Sequence, residues 1–516
     1  MSNHLETPPA DVAATIAAAP SAEDPDRWDR AFARAAGAAP TDTNAVRLLL
    51  DAGENYPAWR KAIDRAEHYI LFESYLIVDD SLGRAFADAL AAKARAGVRV
   101  CAVFDWLGSY GGRALWDLLR AAGAEVRAFN PPRFDSPLAW LTRDHRKSIV
   151  VDGKIGFVSG LCVSSAWEGN PKKRLEAWRD TGVEIRGPAV TDLERAFAEV
   201  WLTCGGAALG PLTAVGNSVS EQDGNVRVRV VAGVPSAAGT YRLDLLIASL
   251  ARHNLWLTDA YFVATSAYTQ ALRAAAADGV DVRLLVPGAS DIPALSPLSR
   301  AGYRPLLEAG VRVFEWNGTM LHAKTAVADG MWARVGSTNL NLASWMSNYE
   351  LDVAIEDEVF AGSMAAQYEK DLERATEVVL TRRNRVRRAE PRAMAAEEIG
   401  EPVARRAPSG SAGRAAAGAV SVGSALGAAL TNRRMLGPAE AGLLATMATL
   451  MLGIAAIAAL WPRVLAWPIG LAGAWLALAW LIKAWTLWRD PRRAKAQAIE
   501  VRSTASARPQ AGDDAG

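Results

Sequence analysis

Two short segments carry the same arrangement of histidine, lysine and aspartate: His145, Lys147 and Asp152 in HRKSIVVD, and His322, Lys324 and Asp329 in HAKTAVAD. In an extended segment, residues two apart point to the same face. His145 therefore projects with Lys147, and His322 with Lys324. If the two faces oppose each other, one pocket holds two imidazoles and two ammonium groups, which suits a phosphodiester. The lysines neutralise nonbridging oxygens and the charge that builds in the transition state. One imidazole can attack phosphorus. The other can protonate the leaving alkoxide and then deprotonate an incoming alcohol or water. This chemistry requires no metal and no cofactor, and the sequence shows no His/Asp/Cys cluster with metal-ligand spacing. Two such matches among the five histidines would arise by chance in about one chain in ten thousand.

The elements that must position these residues recur in a fixed order. In the first half, AVRLLLDAGENYPAWRKAIDRA reads as a short strand, a turn and an amphipathic helix, and HYILFESYLIVDD as a buried strand. A helix stopping at Gly97, a strand in VRVCAVFDW, a helix stopping at Gly123 and a strand in AEVRAFN follow. The second half repeats this with a helix in LLIASLARHN, a strand in LWLTDAYFV, a helix ending at Gly279, a strand in VDVRLLVPG, a helix ending at Gly310 and a strand in VRVFEWN. Gly97 pairs with Gly279, Gly123 with Gly310 and His145 with His322. The spacing shortens before the histidines, which locates an insertion in the first half at PPRFDSPLAW. Matched landmarks in one order indicate an internal duplication. The fold class is α/β, with two similar halves, each a mixed, mostly parallel sheet flanked by helices, plus a C-terminal transmembrane helical hairpin. The expected boundaries are a mobile N-terminal tail at 1–43, halves at 44–205 and 224–380, an Arg/Ala/Gly-rich linker at 381–438, the hairpin at 439–485 and a basic then disordered tail at 486–516.

The hairpin rests on two charge-free runs, Ala441 to Trp461 and Val464 to Ile482, joined by a turn at Pro462. Each is long enough to cross a hydrocarbon core of about 30 Å. Arg433 and Arg434 precede it and Arg489, Arg492, Arg493 and Lys495 follow it, whereas only Arg463 lies in the turn. That bias puts both ends in the cytoplasm. Trp461, Trp467, Trp480, Trp485 and Trp488 supply interfacial anchors. No secretory signal is read at the N-terminus. Cys101, Cys162 and Cys204 have no metal-ligand spacing and are read as reduced thiols. Lys plus Arg total 57 and Asp plus Glu total 56, for a net charge of +1, so any basic surface must be local.

HRKSIVVDGKIGFVSG, HAKTAVADGMWARVGSTNLN and the downstream WRDTGVEIRGPAV and NYELDVAI resemble the phospholipase D superfamily, and within it the bacterial cardiolipin synthase-like branch, over roughly Val46 to Glu377. The resemblance implies His145 as the nucleophile that forms a phosphohistidine and His322 as general acid and base, with the reverse order open. It implies that Ser337 and Asn339, in Gly336-Ser337-Thr338-Asn339, donate to phosphate, with Ser159 in the corresponding stretch of the first half. Glu350 matches the carboxylate that holds a motif histidine through its other ring nitrogen, and Asp180 stands in the equivalent place. Asp152 and Asp329 complete the catalytic set but are expected to hold local structure more than to touch substrate. Cys162 stands where the family often has Asn, which costs one amide donor.

The reading is a membrane-anchored phosphatidyltransferase that passes a phosphatidyl group to a lipid alcohol such as phosphatidylglycerol. Its partners are an anionic phospholipid and the bilayer, not nucleic acid, and its catalytic domain lies on the cytoplasmic face of a bacterial inner membrane. The arginines from Arg382 to Arg388 would add attraction to anionic headgroups, at about 1 kcal/mol each near the surface. A phospholipase D hydrolase with water as acceptor uses the same residues. A nuclease is disfavoured by the neutral charge and the anchor. A membrane scaffold with a decayed site is disfavoured by two intact motifs.

Overall fold

The computed structural model describes residues 25–380 except 133–140, 171, 173–174, 210–223 and 293–294, together with 386–389 and isolated residues between 449 and 485. Residues 133–140 of the insertion at PPRFDSPLAW, most of the linker and hairpin, and the final tail lie outside the described residues. Among those residues, no helix is long and apolar enough to cross a membrane.

The duplication is visible in the strands. The first half contributes β1 (Thr41–Leu50), β2 (Tyr69–Ser74), β3 (Arg99–Asp105), β4 (Glu125–Phe129), β5 (Lys147–Val151), β6 (Ile155–Ser159) and β7 (Thr181–Arg186). The second contributes β8 (Val226–Gly233), β9 (Asn254–Thr258), β10 (Asp281–Pro287), β11 (Arg312–Trp316), β12 (Thr325–Ala328), β13 (Trp332–Gly336) and β14 (Glu350–Glu356), followed by β15 (Ala375–Leu380) and β16 (Val386–Arg388). They form one 16-stranded sheet in the order β16-β15-β11-β10-β9-β12-β13-β14-β8-β1-β7-β6-β5-β2-β3-β4. Reading outward from the central β1–β8 pair gives the same topology in both directions. Gly97, Gly123, Gly279 and Gly310 all adopt φ near +90° (90°, 93°, 91° and 91°), a conformation open to glycine without strain.

The sheet is mixed, as expected, but mostly antiparallel rather than mostly parallel. Parallel pairing is confined to β2–β3, β3–β4, β9–β10 and β10–β11, where a helix crosses between strands. The rest of each half pairs antiparallel, and the motif in each half makes a hairpin. Val151 and Lys154 close a turn over Asp152 and Gly153 (φ 54° and 65°), and Ala328 and Met331 close one over Asp329 and Gly330 (φ 51° and 66°). Asp-Gly is the sequence signal for such a reversal. It sends β6 and β13 back antiparallel to β5 and β12.

Period-2 alternation divides the core. In β2, Ile70 and Phe72 face the helices Asp51–Arg65, Ser81–Arg95 and Arg113–Ala121, whereas Tyr69 and Leu71 face a second core. That second core joins the halves. It combines Val150, Val158 and Val183 with Val327, Val335 and Val353, and is completed by the helices Ala189–Thr203 and Glu358–Glu373. The third core lies under the helices Gly239–Leu250, Ser266–Ala277 and Leu295–Glu308.

Two boundaries are corrected. Within the expected tail at 1–43, Pro25–Ala36 is a helix and Thr41 already belongs to β1. The helix sets Phe32 and Ala36 into the third core, and Arg229 donates to the Ala38 carbonyl at 2.7 Å. Its Ala- and Arg-rich composition hid this docking face. At the other end, Val386–Arg388 pairs with β15 as an edge strand rather than beginning a linker.

The turn aspartates carry more than the reversal. The Asp152 carboxylate accepts the backbone N–H groups of Glu67, His68 and Tyr69, each at 2.8 Å, and Asp329 accepts those of Arg252, His253 and Asn254 at 2.9, 2.8 and 3.0 Å. Asp152→Ala strands three donors and places alanine at positive φ, so unfolding in urea should show a loss of about 2–4 kcal/mol. An unchanged midpoint would assign this residue another role.

Candidate active site

Each motif histidine reaches the site at the start of its hairpin, where its segment lies against the other half. His145 donates its backbone N–H to Tyr349 O at 2.8 Å, and Tyr349 donates back to Arg143 O at 2.8 Å. His322 donates to Arg179 O at 2.7 Å, and Arg179 donates back to Met320 O at 2.9 Å. Each bridge ends one residue short of a carboxylate, which brings imidazole and carboxylate together across the interface. His145 Nδ1 lies 2.9 Å from Glu350 Oε2 and 3.1 Å from Ser337 O, and His322 Nδ1 lies 2.7 Å from Asp180 Oδ2. The first-half histidine is thus held by the second half and the reverse. A carboxylate on Nδ1 fixes the tautomer that leaves Nε2 free for chemistry.

The lysines complete the pocket. Lys147 and Lys324 each turn Nζ back to the carbonyl of the histidine two residues earlier. Lys324 Nζ also stands 2.9 Å from His322 Nδ1. With that nitrogen donating to Asp180, the ammonium is a charged neighbour of the ring and not a donor to it. The charge of Lys324 is felt at His145 and that of Lys147 at His322, so the two motifs serve one site.

Electrostatics keep both rings neutral. Burial pushes the His322 pKa down to about 4, with Lys324 adding to the effect and Asp180 opposing it. Burial also lowers that of His145, against the pull of Glu350. Lys324 is driven to about 8, mainly by burial. Burial opposes the ionisation of both carboxylates, yet His322 and Lys324 hold Asp180, and His145 and Lys147 hold Glu350, below their ordinary values. Free imidazole beside an anionic carboxylate is the form needed for nucleophilic attack.

Seven of the expected residues converge here: His145, Lys147, Asp180, His322, Lys324, Ser337 and Glu350. Ser337 Oγ donates to Glu350 Oε2 at 2.6 Å, so it supports the carboxylate rather than aiming at phosphate. Asn339 is buried, and its Oδ1 has no partner among the described residues. Ser159 is not a pocket donor: its Oγ closes a local bond with the Leu161 peptide, and the repeat counterpart of Ser337 is Gly160. Asp152 and Asp329 stand past the far ends of β5 and β12. Seven residues of extended chain at about 3.3 Å each separate them from the reacting imidazoles by roughly 23 Å, so neither carboxylate touches substrate. Cys162 is buried within reach of both lysine charges, and its carbonyl accepts the Tyr56 hydroxyl at 2.6 Å.

Sequence reasoning missed the aromatic lining. Tyr75 packs edge-on to His145 at 5.0 Å and lies 5.2 Å from Lys147 Nζ, while Tyr261 stands 5.9 Å from His322 and 5.8 Å from Lys324 Nζ. The signal was available, because both follow the inner strand of their half, in FESY and TDAY. Trp167 and Trp178, also against His322, have no such repeated signature. Among the described residues, no group of three or more His, Cys, Asp or Glu side chains is arranged to hold a metal ion.

Comparison with known proteins identifies the family. The family described as "Cardiolipin synthase, PLD-like domain" matches residues 246–375. Cardiolipin synthase A of Pseudomonas aeruginosa is 35% identical over 367 residues, covering 70% of this chain and 73% of that protein. The cardiolipin synthase of Alkalihalophilus pseudofirmus is 31% identical over 344 residues, covering 65% and 67%. The chain belongs to the cardiolipin synthase family of phospholipase D-like proteins. Its fold is also similar to that of Haemophilus influenzae phosphatidylserine synthase, with a TM-score of 0.54, 14% identity and coverage of 68% of this chain and 92% of that one.

The depressed histidine has a measurable consequence. Unfolded histidine titrates near 6.5 and folded His322 near 4, so the unfolded chain binds more protons between these values, and this contribution to stability is lost as pH falls through that window. Against His322→Asn, the wild-type protein should lose about 3 kcal/mol more on going from pH 7 to pH 4. Parallel stability curves would contradict the buried neutral imidazole.

Proposed function

We propose that the protein is a phosphatidyltransferase that joins two phosphatidylglycerol molecules into cardiolipin with release of glycerol. The observation that carries this reading is the pair of Nδ1-anchored imidazoles sharing one pocket with two lysines. His145 Nε2 attacks the donor phosphorus. The bond from phosphorus to the glycerol oxygen breaks, and protonated His322 supplies the proton to that oxygen. Phosphatidyl-His145 and free His322 result. The headgroup hydroxyl of a second phosphatidylglycerol then gives its proton to His322 Nε2, and its oxygen displaces the imidazole from phosphorus. Lys147 and Lys324 balance the phosphoryl charge in both steps. The bound phosphodiester supplies the negative charge that offsets these lysines, and so favours the protonated His322 that the first step requires.

We also propose that the charge-free runs Ala441 to Trp461 and Val464 to Ile482 anchor the chain as a helical hairpin in a bacterial inner membrane, with the pocket on the cytoplasmic face. Their length and the flanking arginines support this. Such an anchor supplies a high local concentration of lipid alcohol, which favours transfer over attack by water.

The purified full chain, incubated with phosphatidylglycerol in mixed micelles, should release glycerol and form cardiolipin. Phosphatidic acid as the sole lipid product would establish a hydrolase instead. With phosphorus-labelled donor, acid-quenched protein should carry label on His145. His145→Ala should carry none, and kcat should fall by at least about a thousandfold in either histidine variant. Label on His322 would reverse the two roles.

A further inference from the structure

The two halves provide an internal comparison at the carboxylates. On Glu350, one oxygen, Oε2, takes both His145 Nδ1 at 2.9 Å and Ser337 Oγ at 2.6 Å. On Asp180, Oδ2 likewise takes His322 Nδ1 at 2.7 Å and a second donor, but that donor is the indole Nε1 of Trp167 at 2.8 Å. The serine solution is closed to the first half. The position equivalent to Ser337 is Gly160, where a Cβ would come within 2.1 Å of Asp180 Oδ1. The duplicated unit has therefore exchanged a hydroxyl for an indole as the second donor to its carboxylate.

The exchange matters because the donors differ in freedom. A serine hydroxyl rotates and can accept as well as donate, and Ser337 Oγ also accepts the Leu351 N–H at 2.9 Å. An indole N–H points only where its ring points. Trp167 is 2% exposed, packs on Trp178 at 4.6 Å and meets His322 edge-on at 5.2 Å and 89°. Its N–H is thus fixed on the oxygen that also serves His322. A carboxylate oxygen committed to a second donor is a weaker base and a weaker acceptor for the imidazole.

We propose that Trp167 is a positioning residue for His322: by a fixed hydrogen bond to Asp180 Oδ2 it weakens that carboxylate's hold on the His322 proton and keeps His322 ready to take and return one. Trp178 and Tyr261 close the other sides of the ring. The charged groups facing His322 are Asp180, Lys324 and Lys147, with Asp259 behind Lys324. Of these, only Asp180 receives the indole bond, so the effect is local to His322. The low basicity of His322 is consistent with this arrangement. The catalytic meaning rests on the two-histidine function proposed above, but the hydrogen-bond effect does not.

The test is therefore a titration that needs no turnover. Nitrogen-15 histidine labelling of the full chain in micelles gives five imidazoles to follow, and His322→Asn and His145→Asn identify the two of interest. Trp167→Phe keeps a ring and removes the N–H. It should raise the His322 midpoint by about half to one pH unit and leave that of His145 in place. An unmoved His322 midpoint, or equal shifts at both histidines, would overturn the proposal. Ser337→Ala is the mirror variant and should raise the His145 midpoint alone. If Trp167→Phe does not fold, a Ser337→Ala protein with an unmoved His145 midpoint overturns the premise that the second donor tunes the imidazole. Absence of cardiolipin synthesis with these shifts intact would instead count against the proposed function alone.

Discussion

Each imidazole of the site is held by a carboxylate from the other half of the chain, and much of the structure serves that exchange. A carboxylate and an imidazole withdrawn from water are each costly unless they meet partners. Here the partners are available only when the halves are joined. The parallel bridges at His145–Tyr349 and His322–Arg179 deliver the groups, and the shared apolar core holds the bridges in register. Buried arginines add to this. Arg146 donates to the carbonyls of Ala196, Gly233 and Glu350, and Arg179 pairs with Asp371 across the interface. Removing one partner of such a buried pair costs about 3–5 kcal/mol, so neither half should keep its site alone.

The order of elements was legible because glycine stops and apolar strands repeat in both halves. The chemistry was legible because His-x-Lys places two groups on one face. Other features were not. Alternation of strands and helices suggested a mostly parallel sheet, and only the Asp-Gly turns, whose significance lay in left-handed φ values, reveal that the motifs are hairpins. The helix Pro25–Ala36 was hidden because its Ala- and Arg-rich composition resembles a tail. Glu350 was named by the family resemblance and Asp180 by its equivalent place in the first half, but nothing in a linear repeat says that each serves the opposite histidine. Trp167 carried no repeated signal because it replaces a function the other half assigns to serine.

The divergence between the halves is concentrated around the pocket while the scaffold stays paired. In the repeat, Asp180 corresponds to Glu350, Gly160 to Ser337 and Cys162 to Asn339. The shorter carboxylate needs the room that Gly160 leaves and the donor that Trp167 brings, so these differences form one coupled set. Two chemically similar sites thereby become two environments within a single pocket, as a two-step transfer requires: one imidazole carries the phosphatidyl group while the other handles the proton.

Single-turnover labelling of the carboxylate variants tests the crossed pairing most directly. With phosphorus-labelled phosphatidylglycerol, Glu350→Gln should fail to acquire label, as a protein lacking its nucleophile would. Asp180→Asn should acquire label on His145 and release it slowly, because the group it impairs is the His322 base. The opposite pattern, with Asp180→Asn unlabelled and Glu350→Gln labelled on His145 but slow to turn over, would show that each carboxylate serves the histidine of its own half and would contradict the account.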